Sequence, residues 1–393
     1  MGPLNDLKVL DLTRVLAGPF CTMTLADMGA EVIKIERPGT GDDSRAFGPH
    51  QNGESAYFMS INRGKKSLTL DLKSEKGREI FLKLVKEADI LVENFKPGVM
   101  KKLGFDYESL TKINPRLIYC ASSGFGQTGP YSSRPAYDLI IQGMGGLMSI
   151  TGPDSATPTK VGSSIADIFA GVFSAIGILG ALHNRDKTGK GQMVDVAMLD
   201  CMVAILENAV ARYTTTNQNP VPIGNRHPSI APFTSVRTSD GFINVACGND
   251  LLWHKFCEVI ERPELAKDER YTSNADRCNH MDELIPVLND TLSENTTSFW
   301  LEKLEKAHVP AGPINKIGEV LNDPQVIARN MLVELMHPVA GKVHVPGTPI
   351  KFSETNSEIV APAPVLGEHN EEILSKIGYS PAEIADLNQQ GIV

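Results

Sequence analysis

Cysteine is scarce in this chain: six residues in 393, at positions 21, 120, 201, 247, 257 and 278, with no CxxC pair and no histidine at metal-ligand spacing. That excludes a disulfide framework and a zinc site, and leaves free, mostly buried thiols in a reducing compartment as the expectation. An excess of positive charge is missing too. The 38 basic and 47 acidic residues are well mixed and give a net charge of −9, with no basic stripe for nucleic acid and no like-charge block of a disordered tail. Any anionic ligand must therefore be held by local cations. The longest apolar run, about Ile165 to Leu182, is broken by Asp167 and rich in Gly, Ala and Ser, short of a clean membrane span. The amino terminus shows no charged-then-apolar leader, and position 6 is Asp rather than the Ser or Thr that myristoylation prefers. The expectation is a soluble, cytoplasmic protein.

A dinucleotide fingerprint is also lacking. Leu7–Leu12 reads as a strand, Thr13–Gly18 as a turn, Pro19 as N1 of a short helix closed near Gly29, and Glu31–Glu36 as a second strand. This βαβ unit imitates a nicotinamide site, with Glu36 where an acid would bind a ribose hydroxyl. Its turn, however, holds only Gly18 followed by Pro19, not G-x-G-x-x-G, and Pro19 removes one helix-end donor. Glu36 is accordingly read as a solvated strand-end acid.

What is present is a strand and helix alternation. Lys66–Leu72 reads as a strand, Ser74–Ala88 as a capped amphipathic helix, and Asp89–Glu93 and Leu117–Cys120 as further strands, which implies a parallel sheet. Because single cores rarely exceed about 250–300 residues, two domains are expected. Residues 1–213 form a Rossmann-like large domain, and 214–330 a smaller α+β domain. The smaller domain opens on a Pro-rich linker, Thr214–Pro228, and carries a hairpin at Ser235–Thr238 and Gly241–Ala246, with helices near Leu251–Ile260 and Phe299–Ala307. Residues 331–393 form a tail with a final helix at Asn370–Ile377 that returns along the large domain.

The most informative residue is Asp167, alone in the apolar, small-residue stretch from Val161. It falls in the first turn of a helix, where unpaired N–H groups and the macrodipole favour an anion. Two readings are open there. Asp167 is a nucleophile, or Ser164-x-x-Asp167 is a capping box in which the acid reaches back to the cap amide. His183 and His369 belong to no evident catalytic arrangement, and Asp195 and Asp200 read as a strand residue and a helix start.

Asp11–Phe20, Gly29–Pro38, Val92-Glu-Asn-Phe-Lys-Pro-Gly98 and Gly124-Phe-Gly-Gln-Thr-Gly-Pro130 together resemble the class III CoA transferase family, which includes formyl-CoA, carnitine and dicarboxylate CoA transferases and the related α-methylacyl-CoA racemases. Tyr137-Asp138, Gly145–Gly152, Thr188–Gln192 and Leu366–His369 extend the match along the chain. The resemblance implies an interlocked homodimer and CoA transfer between carboxylic acids, with an acyl-CoA as substrate and no permanently bound cofactor. Asp167 would attack the thioester, pass through a mixed anhydride and an aspartyl-CoA thioester, and hand CoA to the incoming acid. It further implies that Val15, Arg37, Leu70, Lys73, Asn94, Phe95 and Lys102 hold the CoA, with Arg37 and Lys73 the foremost cations. Formyl-CoA transferases carry a lysine where Pro135 stands, so that contact is lost here or supplied by Arg134.

Leu16, Tyr137, Arg226, His227 and Gly248 would face the substrate acid or its oxyanion, Gly248 with the following Asn249 and Asp250. Racemases of the family pair an Asp with a His, and that His would fall at Tyr137, a poor base at neutral pH; the transferase reading follows. Leu16 in place of Gln, and the absence of a glycine run near Gly224–Pro228, argue against formate or oxalate. The Arg226-His227 pair favours a dicarboxylate such as succinate, glutarate or itaconate.

Overall fold

In a computed structural model, residues 2–355, 357–359 and 361–393 are described. The chain forms two compact units: one holds the chain up to Leu147 with Lys160–Thr214 and Pro324–Val393, the other Met148–Thr159 and Thr215–Asp323. The short excursion 148–159 into the second unit has no counterpart in the pattern of apolar residues.

The first unit is built on a parallel sheet of β1 (Lys8–Asp11), β2 (Glu31–Glu36), β3 (Lys65–Thr69), β4 (Ile90–Glu93), β5 (Ile118–Ser123) and β6 (Met193–Ala197). The spatial order is β3-β2-β1-β4-β5-β6, the doubly wound order of the Rossmann fold, in which the direction of winding reverses between β1 and β4. Register brings apolar residues side by side: Leu10 pairs with Ile33 on one flank and Leu91 on the other. Val9, Leu10, Leu91 and Val92 are all essentially inaccessible, as expected of strands covered on both faces.

Helix α1 (Ala17–Asp27) follows β1. It starts two residues before Pro19, so the proline occupies the third helical position rather than the first, still within the turn whose N–H groups have no helical partner. Helices α2 (Ala56–Ile61), α3 (Glu75–Glu87), α4 (Val99–Leu103) and α5 (Asp138–Met144) precede the long α6 (Ile165–Thr188). Among the described residues only α6 is long and apolar enough to cross a membrane by length and composition. It packs against α1 and β5, with Ala170, Ser174, Ile178 and Ala181 buried.

Beyond Asn370–Lys376 the chain forms one more helix, Pro381–Gln389, so the helix expected to be final is not the last. This stretch packs onto the sheet edge: Thr69 N donates to Asn370 Oδ1 at 2.9 Å and Asp71 N to Ile392 O at 2.8 Å. In the second unit an antiparallel sheet pairs Phe233–Arg237 with Phe242–Ala246 and the latter with Ala311–Pro313. Trp253, Phe256, Leu284, Leu288 and Trp300 from three flanking helices fill its core.

Candidate functional site

At the start of α6, Ser164 occupies the N-cap and makes no side-chain capping bond, so the capping box is not formed. The acid that satisfies the helix end comes from another element. Asp138, in the first turn of α5, accepts from Ala166 N at 2.9 Å through Oδ1 and from the buried Gln142 Nε2 at 2.7 Å through Oδ2. Asp167 is half-buried, and burial, reinforced by the like charge of Asp138, pushes its carboxyl up to about 7. No hydrogen bond contributes to that shift. An acid relieved of capping, poorly solvated and unbonded keeps its lone pairs available for attack on an electrophile.

The start of α6 lies against the start of α1 because both are lined with small residues. Ala17, Ala166 and Ala170 share one buried cluster, and a Cβ on Gly171 would come within 2.7 Å of Ala17 O. Leu16, at the head of α1, is buried with Met23 and Ile61, and Val15, Phe20 and Tyr57 pack against them. Tyr57 was not singled out from sequence. Burial and the charges of Asp167, Asp42 and Asp138 push its phenol up to about 12, so it stays a neutral hydrogen-bond donor in the field of Asp167. An aromatic inside a short apolar helix carries no sequence signal of such a neighbourhood. Tyr137 is 76 % exposed at the N-cap of α5, not a packed aromatic.

A cavity of about 580 Å³ opens at the carboxyl ends of β1 to β4, across the winding reversal where doubly wound sheets take their ligands. Leu12, Ile35, Leu70, Leu72, Phe95 and Val99 supply apolar walls, and Arg14, Arg37, Lys73 and Lys96 the cations. This mixture suits a nucleotide with phosphates. Asp43 bridges two of the cations, Arg37 at 2.6 Å and Arg14 at 3.1 Å, and the Arg14 guanidinium lies 5.2 Å from the Phe95 ring centre. Arg37, Leu70, Lys73 and Phe95 thus meet at one cavity, joined by Arg14 and Lys96, which the sequence motifs contain but did not single out as ligands.

Three other expected contacts sit differently. Lys102 is exposed on α4 and does not line the cavity. Asn94 accepts from Arg14 N and donates to Arg14 O, both at 2.8 Å, so its amide is engaged by the backbone. Val15 donates its N–H to Asp42 Oδ1 at 3.1 Å and has φ +67°, a conformation that costs a β-branched residue about 1–3 kcal/mol and persists only where its surroundings hold it.

Glu36 is not solvated. It is 5 % exposed, accepts two bonds from Arg45 at 2.8 Å each, one from Ser67 Oγ at 2.7 Å and one from Asp42 N at 3.0 Å. Arg45, nine residues on, folds back over the strand end and closes the acid to a ribose hydroxyl. Beside it lies a sealed ionic cluster. Asp11 bonds Lys65 at 2.9 Å and Lys34 pairs with Asp42 at 2.8 Å, all four side chains 0 % exposed. Burial alone would raise the Asp11 carboxyl, but the Lys65 and Lys34 ammoniums outweigh it and hold it low, while burial brings Lys65 down to about 8.

In the second unit, Arg226 lines a cavity of about 380 Å³ with Asn225, Ser235, Phe242 and Ile285, its guanidinium 2.7 Å from the exposed Asp282. His227 Nδ1 accepts from Ser229 N at 3.1 Å, and Gly248 is exposed. Asn249 caps the next helix, and Asp250 pairs with the buried Arg277 at 2.6 Å.

Residues 4–370 match the family described as CoA-transferase family III. The chain belongs to that family. Among relatives of this CoA-transferase family, it is 48% identical to an acetyl-CoA:oxalate CoA-transferase of Acetobacter aceti over 93% of this chain and 94% of the relative. It is 44% identical to a succinate–glutarate CoA-transferase of Agrobacterium fabrum over 95% and 96%. A crystal structure of a CAIB/BAIF family protein from Brucella suis superposes with a TM-score of 0.87 at 44% identity, over 96% of this chain and 99% of that one.

Proposed function

We propose that this CoA transferase moves CoA from an acyl-CoA to a dicarboxylic acid through covalent intermediates on Asp167. The observation that carries the reading is the division of labour at the start of α6: Asp138 satisfies the helix end, and Asp167 is left desolvated and unbonded beside the Leu16 turn. An Asp167 oxygen attacks the thioester carbonyl carbon; the tetrahedral intermediate collapses with cleavage of the C–S bond, releasing CoA thiolate and leaving a mixed anhydride. The thiolate attacks the aspartyl carbonyl carbon, expels the first acid as its carboxylate and forms an aspartyl-CoA thioester. An incoming carboxylate attacks that carbonyl and again releases the thiolate, which then takes the new acyl group and frees the Asp167 carboxylate. No proton need be exchanged in the net reaction, so a buried carboxylate suffices without a partner base.

The cavity at the ends of β1 to β4 would hold the CoA nucleotide. Its apolar walls suit adenine, and Arg37, Lys73, Arg14 and Lys96 suit the phosphates. Leu16, Tyr57 and Tyr137 would border the reacting centre. Arg226, His227 and Gly248 would serve the acid, Arg226 by exchanging its exposed Asp282 partner for a substrate carboxylate. Oxalate, which the residue departures at Leu16 and the missing glycine run set aside, rejoins succinate and glutarate as a test acid because relatives named for each are similar across nearly the whole chain. A homodimer is part of the reading. Leu139, Ile140 and Met144 on α5 and Ile176 and Leu179 on α6 are exposed in the single chain, an apolar set that a second copy would cover.

The test is to incubate pure protein with pooled acyl-CoA donors and isotope-labelled acids in D₂O and read every CoA thioester by mass spectrometry. Label in a new thioester establishes transfer and names the acid. Deuterium beside the thioester without acid exchange would mean racemase chemistry instead.

A further inference from the structure

The turn between β1 and α1 is held at three consecutive residues. Thr13 O accepts from Lys34 Nζ at 2.8 Å, and Thr13 N donates to Asp11 Oδ1 at 2.8 Å. Both backbone groups of Arg14 are clamped by Asn94, and Val15 N donates to Asp42 Oδ1. Lys34 and Asp42, which grip opposite ends of this turn, form an ion pair closed to solvent at 2.8 Å. A buried pair of this kind is weak support for stability, since desolvating both ions offsets their attraction. What it does achieve here is geometry, because Val15 sits at φ +67°, where a β-branched residue does not remain unaided. One side of the turn, Leu12 to Arg14, lines the cavity, and the other, Val15 and Leu16, packs with Tyr57, which lies in the field of Asp167.

We propose that Lys34 and Asp42 are positioning residues for CoA transfer: their ion pair holds the Thr13–Leu16 turn as the wall along which the thioester runs from the nucleotide cavity to Asp167. The inference rests on the reading of that cavity and of Asp167 given above. Asp42 borders the cavity, but both side chains are closed to solvent, so each ion acts through the backbone of the turn. Loss of the pair lets Val15 leave its positive φ, moves Leu16 and Tyr57, and misplaces the thioester carbonyl while leaving Arg37 and Lys73 able to bind the phosphates.

The test is the double variant K34M/D42N, which removes both charges together, keeps an amide oxygen for Val15 N, and leaves Asp11 and Lys65 to balance each other. The expected result is a kcat lower by about 10–100-fold, the range that misplaced reacting groups give, with the KM for acyl-CoA changed by less than about threefold. Adding Val15→Gly to the double variant recovers part of kcat, because glycine accepts the positive φ unaided. A merely structural role would give fewer active molecules at unchanged per-site kcat, which active-site titration detects, and Val15→Gly would recover nothing. If the double variant does not fold, Asp42→Asn alone breaks the pair and leaves Lys34 in the field of Asp11 and Glu36, and the same split in kcat and KM is expected. Wild-type kcat per site in whichever variant folds overturns the proposal. Asp167→Ala, run alongside, separates the two claims: if it turns over fully the underlying reading fails, and if it is inactive while the folded turn variant is normal only the positioning role fails.

Discussion

Replacing Asp167 by Asn should abolish transfer and, above pH 7, make the protein more stable. Burial lifts the carboxyl from 3.8 to about 7, and at about 1.4 kcal/mol per tenfold change in proton affinity the folded state disfavours the ionised form by about 4 kcal/mol. The group is half-buried, so solvent screening reduces this to about 2 kcal/mol. The sign follows from linkage. Because the acid is weaker in the folded protein, below about pH 4 it is protonated in both states and the penalty is absent; it grows from about pH 4 to 7 and is complete above about pH 7. Calorimetry of both proteins from pH 4 to 8 should show the Asn variant gaining about 2–4 °C at pH 8, with the gain fading towards pH 4. A variant less stable than the wild type at pH 8, or a difference independent of pH, would refute the claim that Asp167 is a desolvated, unbonded acid. A capping Asp would behave in that contrary way, since its loss costs about 1 kcal/mol.

The same acid governs rate: kcat/KM for acyl-CoA should rise tenfold per pH unit below about pH 7 and level off above it, and a flat profile from pH 5 to 8 would deny attack by a carboxylate with its proton affinity so raised. Arg37→Met should raise the KM for CoA thioesters about tenfold, the loss of one charge-assisted bond. Its effect should be small with pantetheine thioesters that lack the nucleotide, whereas an equal effect on both would remove Arg37 from the phosphate site. Arg226→Met should lower the preference for dicarboxylates over monocarboxylates by about tenfold in competition assays, and an unchanged preference would free Arg226 of that role.

Much of the fold is legible in residue patterns because parallel strands leave continuous apolar runs, as at Ile90-Leu-Val92, and a hairpin leaves alternation, as at Phe242-Ile-Asn-Val-Ala246. Local patterns end where a partner lies far along the chain. Nothing near Ser164 reveals that Asp138, 28 residues before Ala166, satisfies the helix end, and so spacing alone favours the capping box over the nucleophile. Glu36 reads as solvated because it ends a strand, yet Arg45 and Ser67 enclose it from a short 3-10 helix and from a neighbouring strand. Asn94 carries a family motif, but its engagement of Arg14 across 80 residues is visible only in three dimensions. The cavity is the converse case: strand ends that alternate with helices place Arg37, Leu70 and Phe95 together once the winding order is known.

The most direct test is to trap the covalent intermediate. The protein is mixed with the acyl-CoA donor identified by the exchange experiment, with no acceptor acid, quenched in acid, digested, and its peptides weighed. The account predicts a CoA adduct on the peptide containing Asp167 that disappears when acceptor acid is added and never forms in Asp167→Asn. Steady turnover with no adduct on that peptide, or with the adduct on another residue, would contradict it.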